Sequence, residues 1–166
     1  MNKRSTKKTP DVATGLLKAI TQLPFDKTML PLYFEILNSV SSPVVWRGMT
    51  EFLTPHLAEN EDYKALLLGL LENSKTKGSR ACFLASLESM DLSDDRSLQT
   101  LADNLKEEDE GTRDLSCKLL LKTIPRLSEG KKKTIREKIW EEYDCVMERG
   151  AALEEVIKEM DAQREK

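Results

Sequence analysis

The sequence predicts an all-α fold built as a short solenoid of stacked helical hairpins, and three observations lead to it. Charged residues make up 33% of the 166 residues and aromatic residues only 5%, a composition typical of solvated helices rather than of a β-sandwich. Apolar side chains recur at helical spacing through most of the chain, and no segment shows the alternation of a strand. A helix, a break and a second helix also recur at an interval of 33 residues.

Proline residues and side-chain caps predict where the first three helices begin. Residues 9–11, Thr-Pro-Asp, combine a cap, a proline for the first helical position and an acid that favours the positive helix end. We expect the first helix to run from there until Pro24 ends it. Residues 26–28 open the second helix, with Pro31 in its first turn, and residues 42–43 open the third.

The fourth helix is so apolar that more than one of its faces must be covered, and we predict that it is the central core helix. Asn60 caps it, and residues 63–71 are mostly leucine and other apolar residues. From Lys131 the chain is highly charged, and we expect a capping hairpin there. Breaks between the later helices are expected at residues 76–78, 91–95, 106–110 and 128–130.

Three arginines mark the repeat, because Arg47, Arg80 and Arg113 lie 33 residues apart. Apolar positions around them keep the same phase. They are Met49, Cys82 and Leu115 in the second helices, and Leu32, Ala65 and Leu98 in the first helices. The first helix of the third unit is shifted by one residue, since its leucines match those of the second unit at a spacing of 34. A lone hairpin cannot bury its apolar stripe, so the repeat predicts stacked hairpins with covered ends.

The second unit shows the pattern most clearly, with a leucine-rich first helix at residues 66–71 and a second helix opened by residues 79–82, Ser-Arg-Ala-Cys, with Leu84 and Leu87 after them. In this pattern the chain resembles the HEAT and armadillo superfamily of helical repeats over about residues 28–124. The resemblance implies a right-handed α-solenoid of about three hairpins, with a capping N-terminal helix and charged C-terminal helices.

The predicted organisation has three parts. Residues 1–9 are expected to be a disordered basic tail, residues 10–150 a single HEAT-like helical domain, and residues 151–166 a charged and partly frayed terminal helix. The longest apolar run, around residues 65–71, is far shorter than the roughly 20 residues that a membrane span requires. We therefore expect no membrane insertion and a cytoplasmic location.

A candidate binding surface follows from the solenoid, in which the second helices line one face. Their polar and aromatic residues form a mixed charged strip with Trp46 as its anchor, and tryptophan and arginine are residue types that dominate interface energetics. Two structural alternatives stay open: the arginines brace adjacent repeats through acids or carbonyls, and Trp46 packs inward. The candidate partner-binding residues are Trp46, Arg47, Glu51, Arg80, Arg113, Asp114 and Lys118.

Charge is distributed unevenly along the chain, whose formal net charge is −3. The first ten residues contain four bases and no acid, which leaves about −7 for the rest. An acidic body disfavours broad binding to phosphate backbones. The basic residues Lys3, Arg4, Lys7 and Lys8 favour solubility, with nucleic-acid binding as the alternative, and residues 131–133 form a second basic cluster that acids surround.

The sequence predicts no catalytic residue, metal site or cofactor. Cys82, Cys117 and Cys145 lie far apart with no CxxC pair and no histidine cluster. His56 is expected to cap a helix end or lie on the surface, and paired acids such as Asp94 and Asp95 are expected to compensate helix dipoles. The motifs of nucleotide-binding loops, zinc proteases and serine hydrolases do not occur.

The sequence therefore predicts a non-enzymatic protein-interaction module, an adaptor, inhibitor or immunity-type factor that binds an unidentified protein on its second-helix face. The alternative is a nucleic-acid-binding protein that resembles the HEAT-like DNA glycosylases. Trp46, the arginines and the basic tail favour that alternative. Neither the partner nor the oligomeric state follows from the sequence.

Overall fold

The computed structural model describes residues 12–74, 77–146 and 151–162, and these residues are helices, turns and short connections without a strand. The prediction of an all-α protein is confirmed. Single 3₁₀ turns at Lys27–Met29 and Ile124–Arg126 supplement the α-helices. The helices are α1 (Val12–Thr21), α2 (Leu30–Ser39), α3 (Pro43–Leu57), α4 (Glu61–Asn73), α5 (Lys77–Leu87), α6 (Asp95–Asn104), α7 (Glu110–Thr123), α8 (Glu129–Val146) and α9 (Ala151–Ala162).

Side-chain caps fix several of these helix starts where the sequence places them. Asn60 accepts a hydrogen bond from the Tyr63 amide at 2.8 Å and caps α4, and Asp94 caps α6 through the Ser97 amide at 2.9 Å. Each bond satisfies an amide that the helix itself leaves unpaired. The predicted start at residues 9–11 lies outside the described residues.

Two compact units divide the chain, Met1–His56 and Leu57–Lys166, called unit 1 and unit 2 below. The division falls within the single domain predicted for residues 10–150. The tail predicted for residues 1–9 lies outside the part of the chain that the structure describes, as do residues 163–166 of the predicted terminal helix.

Unit 1 has an aliphatic core, to which Leu37, Met49 and Leu53 contribute fully buried side chains. An aromatic cluster lies beside it. The ring of Phe25 stacks on His56 with centroids 4.4 Å apart and planes 9° apart. Tyr33 meets Phe52 edge to face at 5.8 Å. Such pairs add to the free energy gained by burying apolar area, and they join α2, α3 and the segment between α1 and α2.

Unit 2 consists of three pairs of sequential helices, because α4 packs against α5, α6 against α7, and α8 against α9. The first helices of these pairs also contact one another in the order α4, α6, α8, and the second helices in the order α5, α7, α9. Helix α4 buries Tyr63, Leu67, Leu68 and Leu71, as its apolar sequence predicts. In the described residues no helix has the length and apolar character needed to cross a membrane.

Candidate protein-interaction surface

Two of the three repeated arginines hold the loops that precede their own helices. Arg80 Nε donates a hydrogen bond to the Ser74 carbonyl at 3.0 Å. Arg113 Nη1 donates to the Glu107 carbonyl at 2.8 Å and to the Glu108 carbonyl at 2.9 Å. In both hairpins one carbonyl acceptor lies six residues before the arginine. The same side chain therefore makes the same contact at positions 33 residues apart, which we call the arginine brace.

The brace also connects one hairpin of unit 2 to the next. The Arg80 guanidinium forms an ion pair with the Glu107 carboxylate, while the Glu107 carbonyl accepts the bond from Arg113. Glu107 thus joins the loop before α5 to the loop before α7. Arg80 therefore braces adjacent hairpins, which is the alternative left open by the sequence. The contacts of Arg113 with the Glu107 and Glu108 carbonyls stay within its own hairpin.

Arg47 occupies the equivalent position on α3 but does not act as a brace. Its side chain is exposed, and no described residue forms a hydrogen bond or ion pair with it. Glu51, one turn further along α3, is also exposed and likewise unpaired among the described residues. Both side chains therefore present full charges to solvent.

Trp46 lies on another side of α3 than Arg47 and Glu51. Its indole Nε1 donates to the Leu37 carbonyl at 3.0 Å, and the ring is half-buried. This hydrogen bond connects α3 to the last turns of α2. It also gives the indole N–H the acceptor that it needs when it is removed from water. Trp46 therefore packs inward, which is the alternative that the sequence left open.

The remaining candidates, Asp114 and Lys118, are exposed on α7. Lys118 Nζ lies 2.7 Å from the Glu88 carboxylate and joins α7 to the end of α5. That contact lowers the pKa of Glu88. Of the candidates in unit 2, Asp114 alone has neither a hydrogen bond nor an ion pair with a described residue.

Charged side chains also join the first helices of unit 2. The buried Lys64 of α4, 8% exposed, reaches Asp94 at 3.0 Å and donates to the Asp91 carbonyl at 3.1 Å. Burial alone lowers the pKa of Lys64, but the hydrogen bonds that Lys64 donates to Glu61 and Asp94 outweigh it, and the net shift is upward. Lys64 therefore fixes α4 to the start of α6 in its charged form.

Three more ion pairs continue this connection along α4, α6 and α8. Arg96 binds both oxygens of Glu72, at 3.0 and 3.2 Å. Two lysines of α8 reach carboxylates of α6 at 3.1 and 2.9 Å. We call the four contacts the ion-pair ladder, and its members are Lys64–Asp94, Glu72–Arg96, Asp95–Lys131 and Asp103–Lys138.

The basic cluster of α8 is neutralised by acids of the chain. Lys132 pairs with Glu129 at 2.9 Å, and Arg136 pairs with Asp161 of α9. Lys133 lies 3.7 Å from Glu137, and Lys131 belongs to the ion-pair ladder. The cluster is therefore paired within unit 2, and the Lys132 side chain is only 15% exposed rather than fully solvated. Lys3, Arg4, Lys7 and Lys8 lie outside the described residues, and nucleic-acid binding through them stays a prediction.

The groups that carry reactive chemistry are used in packing. Cys117 is buried, and burial raises the pKa of its thiol to about 11, so the thiolate form is scarce near neutral pH. His56 stacks on Phe25. Among the described residues, no group of three or more His, Cys, Asp or Glu residues is placed to hold a metal ion.

Two open clefts of unit 2 are lined mainly by polar and charged residues. The cleft near the start of α4 measures about 390 Å³ and includes Lys64, Glu88 and Lys122, and Lys122 donates to the Glu88 carbonyl at 2.7 Å. The other, about 340 Å³, contains Glu72, Arg96 and further members of the brace and ladder. Both clefts are lined largely by groups that already pair with one another.

Comparisons with family models, with curated proteins and with solved structures give no match for this chain. The case for a function therefore depends on the contacts described above.

Proposed function

We propose that this chain is a non-enzymatic protein-interaction module, built as a short HEAT-like solenoid, which binds a protein partner through the outer surface of α3. The observation that carries the proposal is the difference among the three repeated arginines. Arg80 and Arg113 are used as braces, whereas Arg47 is exposed and unpaired among the described residues.

Two features of unit 2 support the solenoid. Sequential helices form pairs, and both the first and the second helices of successive pairs contact one another, as in proteins whose repeats touch only their neighbours. The arginine brace adds a contact that recurs with the 33-residue period. In this arrangement the ion-pair ladder joins the first helices of successive pairs.

The proposed binding surface consists of charges that the chain itself leaves unpaired. Arg47 and Glu51 are one turn apart on α3, and neighbours at that spacing share one helix face. Arginine is enriched among residues whose loss weakens interfaces most. A partner with a carboxylate opposite Arg47 and a base opposite Glu51 would complete both ion pairs.

A charge-swap experiment tests this surface without disturbing the internal contacts. The full chain is crosslinked in an extract of its native host, and captured proteins are identified by mass spectrometry. The double variant Arg47→Glu with Glu51→Lys keeps the net charge of −3 and replaces no residue of the brace or ladder. We expect it to lose the crosslinks of the partner.

The matched control is Lys27→Glu with Glu35→Lys. These residues are also exposed, also in unit 1 and also unpaired among described residues, and the swap again preserves the net charge. We expect this control to keep the partner. Equal capture by both double variants would refute the proposed surface, and the absence of any specific partner in wild type would refute the proposed function.

A further inference from the structure

Helix α1 is seated on α3 at a glycine. A Cβ atom placed on Gly48 would lie 2.6 Å from Leu17 Cδ2 and 3.0 Å from Leu17 Cδ1, closer than nonbonded carbons approach. The branched end of Leu17 therefore occupies the space that the missing side chain leaves. Glycine is the residue that permits such a close approach.

The rest of α1 is weakly attached. None of its described side chains is buried: Leu17 and Ile20 are half-buried, and Leu16 is 49% exposed. Residues 14–21 form no hydrogen bond or ion pair with another helix among the described residues. A helix of ten residues is marginal without tertiary contacts, and Gly15 in its interior lowers its propensity further. Among the described residues, the close contact of Leu17 with Gly48 attaches α1 to α3.

The seat of α1 adjoins the proposed binding surface. Gly48 follows Arg47 directly and precedes Glu51 by three residues, at the edge of the exposed side of α3. Val44, one turn before Gly48, is 60% exposed. An apolar notch, an exposed valine and two unpaired charges therefore lie together on α3, and α1 covers only part of them.

We infer that α1 is a replaceable occupant of this surface, and that the partner places an amphipathic helix there with an aliphatic side chain at Gly48. This inference rests on the proposed function and specifies the chemistry of the partner. The occupant seen in the structure supports it, because α1 is an amphipathic helix that inserts a leucine. The partner helix fills the same notch with its aliphatic side chain. It also supplies opposite charges to Arg47 and Glu51, which α1 leaves unpaired.

A peptide with the α1 sequence, residues 10–23, provides a probe that needs no identified partner. It carries a fluorophore and is titrated with the full chain while anisotropy is recorded. In wild type the intramolecular α1 competes with it. Leu17→Asp in the chain releases α1 because an isolated charge is costly in the apolar notch, and we expect the peptide to bind this variant roughly tenfold more tightly than wild type.

Two controls separate insertion at the notch from general effects of the charge. Leu16→Asp makes the same change at the neighbouring position, which is 49% exposed, and should leave the affinity at the wild-type level. Adding Gly48→Leu to the Leu17→Asp chain fills the notch and should abolish binding. A peptide that itself carries the Leu17→Asp change should not bind any of these chains.

Hydrogen exchange reports on α1 directly in the same proteins. Gly48→Leu in an otherwise wild-type chain should increase exchange at residues 12–21, while residues 43–57 stay protected. The inference is overturned if α1 protection is unchanged, or if Leu17→Asp and Leu16→Asp chains bind the peptide equally. Since the charge swap on α3 does not involve α1, loss of the partner in that experiment together with no peptide binding would refute this inference alone.

Discussion

The two units of the chain use charge in opposite ways. In unit 2 the ion-pair ladder and the arginine brace connect successive helices. In unit 1 the described charged side chains form no ion pair, and five of the six large exposed apolar side chains of the described residues lie there. Most of the described charged side chains of unit 2 pair with other groups of that unit. The described residues of unit 1 include unpaired charges and exposed apolar side chains. A protein partner is therefore expected to contact unit 1 foremost.

The largest expected loss of stability follows from replacing Lys64, the buried lysine of the ion-pair ladder. Lys64→Met removes a buried cation, and it leaves the Asp91 carbonyl without this donor and the Asp94 carboxylate without its cationic partner. Hydrogen bonds that involve charged groups contribute about 2 kcal/mol to stability, so we expect the free energy of unfolding of unit 2 to fall by that amount. Urea denaturation followed by circular dichroism measures it.

The control for Lys64 is Lys133→Met, because the Lys133 side chain is 76% exposed and pairs only with Glu137 of its own helix. Exposed pairs at this spacing contribute about 0.4 kcal/mol. If both variants lost the same free energy, the ladder would be no more important than surface charge, and the contrast between the units would fail.

The next effect compares two arginines at equivalent repeat positions. Arg80→Met removes the bond to the Ser74 carbonyl and the ion pair with Glu107, and we expect a loss of about 1.5 kcal/mol. Arg47→Met should change stability by less than about 0.5 kcal/mol, as is usual for exposed surface positions. Denaturation of both variants tests this. A large loss at Arg47 would mean that it braces unit 1 as well.

The third effect concerns the weak attachment of α1. Nothing lies within 4 Å of a Cβ placed on Gly15, so Gly15→Ala gains helix propensity of about 1 kcal/mol without a clash. Gly48→Ala makes the same chemical change but forces Leu17 away. Hydrogen exchange at residues 12–21 should slow in the first variant and accelerate in the second. Exchange that moved in the same direction in both would show that Leu17 does not depend on the notch.

The helix starts follow from the sequence because their causes are local. Pro43 begins α3, Asn60 caps α4, and Asp94 caps α6 within the break predicted at residues 91–95. Each of these residues acts within about one turn of its own position, so the residues on either side suffice to predict it. The carbonyl contacts of the arginine brace are almost as local, since the acceptors lie five or six residues away. The 33-residue phase alone does not identify the braces, because Arg47 shares it and is exposed.

The contacts that distinguish the candidate site follow from tertiary placement and were not predicted. Lys64 and Asp94 are 30 residues apart in sequence, and nothing near either residue indicates that they meet. Asp94 and Asp95 are also explained by a favourable interaction with the dipole of α6. That local explanation gave no reason to expect lysine partners. The available signals were Gly48 in the interior of a helix, which marks a close approach, and the lysine at position 64 beside an apolar run.

Acid sensitivity should also differ between the ladder and unpaired surface acids. Hydrogen bonds from Arg96 hold the pKa of Glu72 below its ordinary value of 4.5, although burial opposes them. A carboxylate with a lowered folded-state pKa stabilises the fold fully above its unfolded-state pKa, and this contribution disappears as the pH falls through the folded value. Unit 2 should therefore lose stability as the pH decreases below about 4.5.

The variant Glu72→Gln tests this contribution, and it is the smallest effect expected here. The Glu72 side chain is 40% exposed, so solvent screening limits its contribution to about 0.5 kcal/mol. Near neutral pH the variant should be less stable than wild type by that amount, and the two stabilities should converge in acid. Glu59→Gln, at an exposed residue outside the ladder, should parallel wild type throughout. If the Glu72→Gln difference persisted in acid, its cause would be lost packing rather than the ion pair, because protonated Glu72 no longer carries the charge that Arg96 binds.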